Sequence, residues 1–152
     1  MIKVIGIGKI KDSNMVSLIE DYVKKINRYH KFEIVEVKDE PIKDNDIKTL
    51  DTEAERALKL IDDKDYVILL DLHGKMIDSV SFSKIIDTTF NSYPRLVFVI
   101  GGSLGLGKKL LDRANYRLKL SDMTFLHSMT RLILVEQIYR SFKILNGETY
   151  HK

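Results

Sequence analysis

The sequence contains no cysteine, which excludes disulfide bonds and thiolate metal sites. Its four histidines, His30, His73, His127 and His151, show no metal-ligand spacing, so no metal site is expected. No apolar run reaches the roughly eighteen residues that a membrane-spanning helix needs. The N-terminal stretch MIKVIGIGKIKD is too short in its apolar part for a signal peptide and lacks a small-residue cleavage site. A cytoplasmic protein with no membrane contact is the expectation. Repeats, linkers and low-complexity stretches are also lacking, so residues 1–152 are expected to form one domain.

The 152 residues are 44% hydrophobic and 31% charged, an ordinary globular balance long enough for a real core. The net charge of +3 is too small to name a partner, but it is unevenly spread. Residues 1–100 hold 16 basic and 18 acidic side chains, whereas residues 101–152 hold 9 basic and 4 acidic. A C-terminal third with this excess is what a phosphate-binding surface would show, though asymmetry of this size is also common without one.

Ile2–Ile7, Phe32–Val37, Tyr66–Leu72 and Leu96–Ile100 read as strands, the Tyr66 and Leu96 segments being continuous rather than alternating apolar runs, as in strands covered on both faces. The Tyr66 strand is expected to end at His73-Gly74-Lys75. Between them, Ser13 to about His30 has helical spacing at Leu18, Ile19, Tyr22, Val23, Ile26 and Tyr29, with Ser13 as a suitable N-cap. Pro41 to Asp46 reads as a loop, followed by a polar helix to about Leu60. A helix is predicted from Ser81 to about Phe90 and a short one after Gly107. Tyr116–Leu120 reads as a last strand, and a long helix runs from His127 to Leu145, with Ser128 available to cap it. The alternating order implies a three-layer α/β domain built on a parallel sheet.

Leu132, Ile133, Leu134 and Val135 are consecutive in the last helix. Successive helical residues point about 100° apart, so this run has no polar face. One side can lie on the sheet; the remainder needs a second cover, either a loop or, in so small a protein, a partner subunit in a homodimer.

The strongest local signal for chemistry is IGGSLGLGKK, residues 100–109, between a buried strand and a helix, where open α/β sheets bind ligands. Gly102, Gly107 and Lys108 nearly spell a P-loop, but Lys109 stands where Ser or Thr must hold magnesium. A dinucleotide fingerprint fails as well, because Leu110 occupies the position of its last glycine. The loop either cradles an uncharged moiety, such as an adenosine or an amino acid, or is simply a tight turn. LSDMTFLHSMTR, residues 120–131, joins a short strand to the long helix and places His127 at the helix entrance, where such a residue is usually a structural hydrogen-bonder. The tail, Gly147 to Lys152, ends in a phenol, an imidazole and a cation, groups suited to proton transfer or phosphate binding but equally typical of a frayed end.

Taken together, VIGIGKIKD, VFVIGGSLGL, LSDMTFLHSMTR and EQIYRSFKILNGETYHK, in this order and spacing, resemble the large-subunit ribosomal RNA pseudouridine N3-methyltransferase family, of the SPOUT class. The resemblance implies an α/β fold with a deep C-terminal trefoil knot, a feature too rare to be read from strand patterns. It implies S-adenosyl-L-methionine as cofactor, held by Leu70, Gly101 and the segment Leu120, Ser121, Asp122, Met123, Thr124 and Phe125. It implies methylation of N3 of a pseudouridine in 23S ribosomal RNA on the assembled ribosome. The family packs as a homodimer through its last helix, and the tail of one subunit approaches the other's cofactor. On that basis Tyr150 and His151 are the expected catalytic residues, with Arg131, Arg140 and Lys152 expected near RNA phosphate. Pairing of Arg131 and Arg140 with Glu136 or another acid on the helix surface is the alternative. A related enzyme acting on transfer RNA, or a ribosome-assembly protein without activity, are the competing readings. One departure stands out: Leu126 occupies a position that is usually proline in the family, which leaves the backbone before His127 less constrained.

Overall fold

The computed structural model describes residues 1–42 and 45–152, so Lys43 and Asp44 in the expected Pro41–Asp46 loop lie outside the described residues. Five strands, β1 (Ile2–Ile7), β2 (Phe32–Val37), β3 (Tyr66–Met76), β4 (Leu96–Ile100) and β5 (Tyr116–Lys119), form one sheet in the order β2-β1-β4-β3-β5. Every pairing is parallel.

The period-two alternation of strand side chains divides the core cleanly in two. Ile2, Val4, Ile68, Leu96, Phe98 and Ile100 point to one face. Ile5, Ile7, Val67, Leu69, Val97 and Val99 point to the other. Helices α1 (Ser13–Asn27), α3 (Ser79–Ser92) and α5 (His127–Leu145) cover the first face, with α5 packed against both of the others. Helices α2 (Asp46–Leu58) and α4 (Lys108–Arg113) cover the second. This is the expected three-layer arrangement.

Several local expectations are corrected. The cap of α1 is Asp12, which accepts from the N–H groups of Asn14 and Met15 at 2.8 and 3.1 Å; Ser13 is the first helical residue. A carboxylate one residue earlier reaches the free N–H groups that Ser13 was expected to satisfy. Helix α5 starts at His127 as predicted, but Leu126 sits at its cap without any side-chain bond, and Ser128 lies within the first turn. Strand β3 does not end at His73-Gly74-Lys75. It continues to Met76, with an irregularity between Leu70 and Lys75, and rejoins β5 where Lys75 pairs with Leu118 and Met76 with Lys119. Asp71 stabilises this excursion by accepting from His73 N–H at 3.0 Å and from Arg117 Nε at 2.5 Å.

The apolar run of α5 finds much of its second cover within the chain. Leu134 and Val135 are fully buried, and Leu132 and Ile133 half-buried, because α1 and α3 flank the helix on both sides. The demand for a partner subunit is correspondingly smaller than the sequence pattern suggests. Among the described residues, no helix is long and apolar enough to cross a membrane.

Candidate functional site

Strands β3, β4 and β5 end side by side, and a cleft of about 620 Å³ opens at their carboxyl ends. Leu70, Gly101, Leu120, Ser121, Met123, Thr124 and Phe125 all line it. Three segments far apart in sequence therefore meet at one place, which spacing alone could not show. The volume is in the range of pockets for cofactor-sized ligands.

The glycine loop forms the cleft's compact wall. Gly102 and Gly105 make an antiparallel bridge, Gly105 N–H donates to Gly102 O at 3.1 Å, and Gly105 has φ +92°, a left-handed backbone that favours glycine. A side chain at Gly101 would overlap the Gly105 carbonyl, with its Cβ 2.8 Å from the Gly105 carbonyl carbon. Gly101, Gly102 and Gly105 thus serve a hairpin-like fold of the loop upon itself, not the phosphate cradle that their spacing superficially resembles, while Gly107 lets the chain lie against α2, where a Cβ would stand 2.7 Å from the Leu50 carbonyl oxygen.

The opposite wall is the segment 120–126. Met123 and Leu126 are each 75% exposed, an unusual placement for large apolar side chains that no protein contact explains. Among the described residues, Met123 is the one position from Ser121 to Leu126 whose backbone N–H has a protein partner, the Ser121 hydroxyl at 3.0 Å. Free peptide groups beside exposed apolar side chains suit a ligand with both a polar and an apolar part. Asp122 departs from expectation: it lies outside the cleft wall, exposed and ion-paired with Lys119.

The cleft also includes residues that sequence reasoning missed, notably Leu72, His73, Arg117 and Thr130. Leu72 and His73 enter because β3 overshoots the sheet, and no local signal in the sequence marks that overshoot. His127 lines the cleft, and its Nδ1 is buried without a partner among the described residues.

The expected catalytic pair lies elsewhere in the same chain. The Tyr150 hydroxyl donates to Glu136 Oε1 at 3.1 Å, and its ring stacks edge-on against Tyr139 and beneath the Arg140 guanidinium, 4.8 Å away. Burial, reinforced by the Glu136 carboxylate and Tyr22, holds the phenol's pKa well above the ordinary tyrosine value, so Tyr150 is a proton donor here at neutral pH. His151 borders a second, smaller cleft of about 500 Å³ between the start of α3 and α5. Its Nδ1 lies 3.2 Å from Arg140 Nη1. Arginine can only donate, so this contact requires an unprotonated Nδ1 and leaves the hydrogen of the neutral ring on Nε2.

The arginines are likewise committed. Arg140 places Nη2 and Nε on Glu136 at 2.6 and 3.1 Å, the helix-surface pairing that stood as the alternative to RNA contact. Arg131 overturns its expectation as a phosphate-binding residue. It is only 3% exposed, with Nη1 on Glu36 Oε2 at 2.6 Å, so it presents no cation to a polyanion. Lys152 is exposed at the chain end. Among the described residues, no group of His, Asp or Glu is placed to hold a metal ion.

Comparison with known proteins agrees with this layout. Residues 1–151 match the family described as "Predicted SPOUT methyltransferase". The chain is 44% identical over 157 aligned residues to the ribosomal RNA large subunit methyltransferase H of Clostridium tetani, covering 99% of both chains. It is 45% identical over 159 aligned residues to the protein of the same name from Ureaplasma urealyticum, covering 100% of this chain and 99% of the other. Among solved structures it resembles a probable methylase family protein from Haemophilus influenzae, with a TM-score of 0.58 and 14% identity, over 99% of this chain and 70% of that one. That likeness shows the fold alone. A family match across almost the whole sequence, joined to relatives of this identity end to end, establishes that the chain belongs to the SPOUT methyltransferase family.

Proposed function

We propose that this protein methylates large-subunit ribosomal RNA, transferring a methyl group from S-adenosyl-L-methionine to N3 of a pseudouridine in 23S ribosomal RNA on the assembled ribosome, and hence in the cytoplasm. The observation that supports this most is the single cleft made by Leu70, Gly101 and residues 120–125, at the carboxyl ends of adjacent parallel strands. The relatives named for ribosomal RNA methylation match over nearly their whole length. The chain's route from the glycine loop through α4 and β5 and back along 120–126 to α5, on the other face of the sheet, fits the trefoil knot of the class.

The residues present fit the cofactor. The folded-back glycine loop leaves a surface without side chains at Gly101, and the 120–126 wall offers unpaired peptide groups next to Met123 and Phe125. When bound, S-adenosyl-L-methionine supplies a methyl group already activated by its sulfonium. What remains for the protein is to align the acceptor nitrogen, exclude water and accept the acceptor's proton.

His151 is the base that fits this task, since Tyr150 is held protonated. Its Nδ1 must first leave Arg140, and we place that exchange at the dimer, where the tail of one chain meets the cleft of its partner. Tyr150 and Arg140, both bound to Glu136, then orient the tail. Lys152 remains available for RNA phosphate.

Mass spectrometry of ribosomal RNA from a deletion strain tests the substrate. Loss of one methylated pseudouridine in 23S RNA, restored by the native gene, is expected. Unchanged 23S RNA with an altered transfer RNA would move the activity to that substrate. Calorimetric titration with S-adenosyl-L-methionine tests the cofactor, and absence of binding would refute the enzyme reading. A His151→Ala protein that binds cofactor normally should lose most ribosome methylation; full retention would remove the proton-transfer role.

A further inference from the structure

Arg131 has one of the few charged side chains buried in this protein, and it belongs to the helix whose entrance walls the cleft. Besides its bond to Glu36, its Nη2 donates to the Gly8 carbonyl at 3.2 Å. Glu36 Oε2 simultaneously accepts the Ile10 N–H at 2.9 Å. One guanidinium therefore ties α5 to the end of β2 and to the turn that follows β1. Gly6 makes room for it: a Cβ at that position would stand 2.6 Å from Arg131 Cζ.

Stability alone does not account for this arrangement. Taking two charges out of water costs more than a well-packed apolar pair in many proteins, and Arg131 Nε has no partner among the described residues. What a guanidinium adds is direction. Its planar donors satisfy a carboxylate and a carbonyl together in few orientations, whereas apolar contacts let a helix slide or turn.

The neighbouring wall has little to hold it otherwise. Among residues 121–126, Met123 alone has a bonded backbone N–H, the Leu126 carbonyl accepts the Thr130 N–H at 2.9 Å, and α5 begins without a side-chain cap. One end of the wall is fixed by the pairing of β5 with β3. The other end is fixed only through α5, where Thr130 lines the cleft and Arg131 follows it directly.

We infer that Arg131 is a positioning residue: through Glu36 and Gly8 it sets the rotation and axial position of α5, and so shapes the 120–126 wall without touching the ligand. Its consequence for cofactor binding rests on the proposed function; its effect on the wall does not.

Hydrogen exchange on the cofactor-free protein, well below its melting temperature, tests the effect directly. In Arg131→Met, the hydrogen-bonded amides of this region, Met123 and those from Thr130 to Leu134, should exchange about tenfold faster or more, with β1 and β4 unchanged. Unchanged exchange in that segment overturns the inference. So does a uniform rise across the sheet, which is general destabilisation. Gly6→Ala, which displaces the guanidinium from the far side, should reproduce the same local pattern. For S-adenosyl-L-methionine, each variant should bind about tenfold more weakly, and the double variant no more weakly than Arg131→Met alone. Arg131→Lys should fall between, because an ammonium reaches Glu36 without the planar fork. Additive losses, or affinity unchanged in Arg131→Met, would refute the coupling to the cleft. If the native protein binds no S-adenosyl-L-methionine, the functional reading fails while the exchange pattern still decides the positioning role.

Discussion

Replacing Gly101 by alanine adds one methyl group at the place where the glycine loop folds on itself. That methyl group would overlap the Gly105 carbonyl oxygen, 2.8 Å from its carbon and 3.2 Å from Leu106 Cδ2. The obstacle is backbone, so no flexible side chain can swing away. The Gly102–Gly105 bridge must open instead, and Gly105, already in a left-handed conformation, is the residue on which it closes. Forcing an extra methyl into packed surroundings costs about 1–3 kcal/mol. If the ligand binds only the closed loop, that cost is repaid from affinity, giving about 5- to 150-fold weaker binding. Calorimetric titration with S-adenosyl-L-methionine measures it, alongside a thermal melt to establish that the variant is folded at the titration temperature. Native affinity in a folded Gly101→Ala protein would show that the loop's closed shape is not what the ligand recognises, and would refute the assignment of this wall.

At the amino-terminal ends of β3 and β4, away from the cleft, Asp65 is 3% exposed and receives Arg95 through Nε at 3.0 Å and Nη2 at 2.5 Å. Arg95→Met would leave that carboxylate buried without its partner, costing about 3–5 kcal/mol and lowering the melting temperature by about 10 °C. Cofactor affinity should be unaffected; a melting temperature within 2 °C of native, as a rough limit, would contradict this account. The same pair makes stability depend on acid. Burial alone would raise the Asp65 pKa, but Arg95, the Asp62 N–H and Arg113 outweigh it and hold the folded-state value below that of an ordinary aspartate. Its contribution is thus complete above the unfolded value of about 3.9 and lost as the pH falls through the lower folded value. Melting temperatures measured from about pH 6 to pH 2 should decline less steeply for Asp65→Asn than for the native chain, and parallel curves would refute the assignment.

Much of this protein is written locally. Strands β2 and β4 and helix α5 have the bounds that their residue patterns predict, because an apolar run of strand length or helical period chooses its secondary structure from neighbours in sequence. The glycine loop and the 120–126 segment were also legible, from strings that match a known family more than from any familiar nucleotide motif. Errors at element ends are small and have small causes: Asp12 caps α1 because its carboxylate reaches two N–H groups that Ser13 cannot.

Arg140 pairs with Glu136 four residues away, as helical spacing allows, but what Arg131 and Arg117 do was not legible, because their partners are brought close only by folding. Arg131 finds Glu36, 95 residues earlier in the chain, and only the parallel sheet brings β2 beneath α5. An arginine in a basic C-terminal third reads as a phosphate ligand until the fold shows that a glycine in β1 has opened a slot for it. Likewise the overshoot of β3, which delivers Leu72 and His73 to the cleft, depends on Asp71 meeting Arg117 across the sheet edge. The sequence by itself determined the strands, the helices, the layered fold and the segments that line the cleft, since periodicity and local motifs survive without a third dimension. Only the tertiary structure decided which charges point inward, since burial and ion pairing are properties of contacts between distant residues.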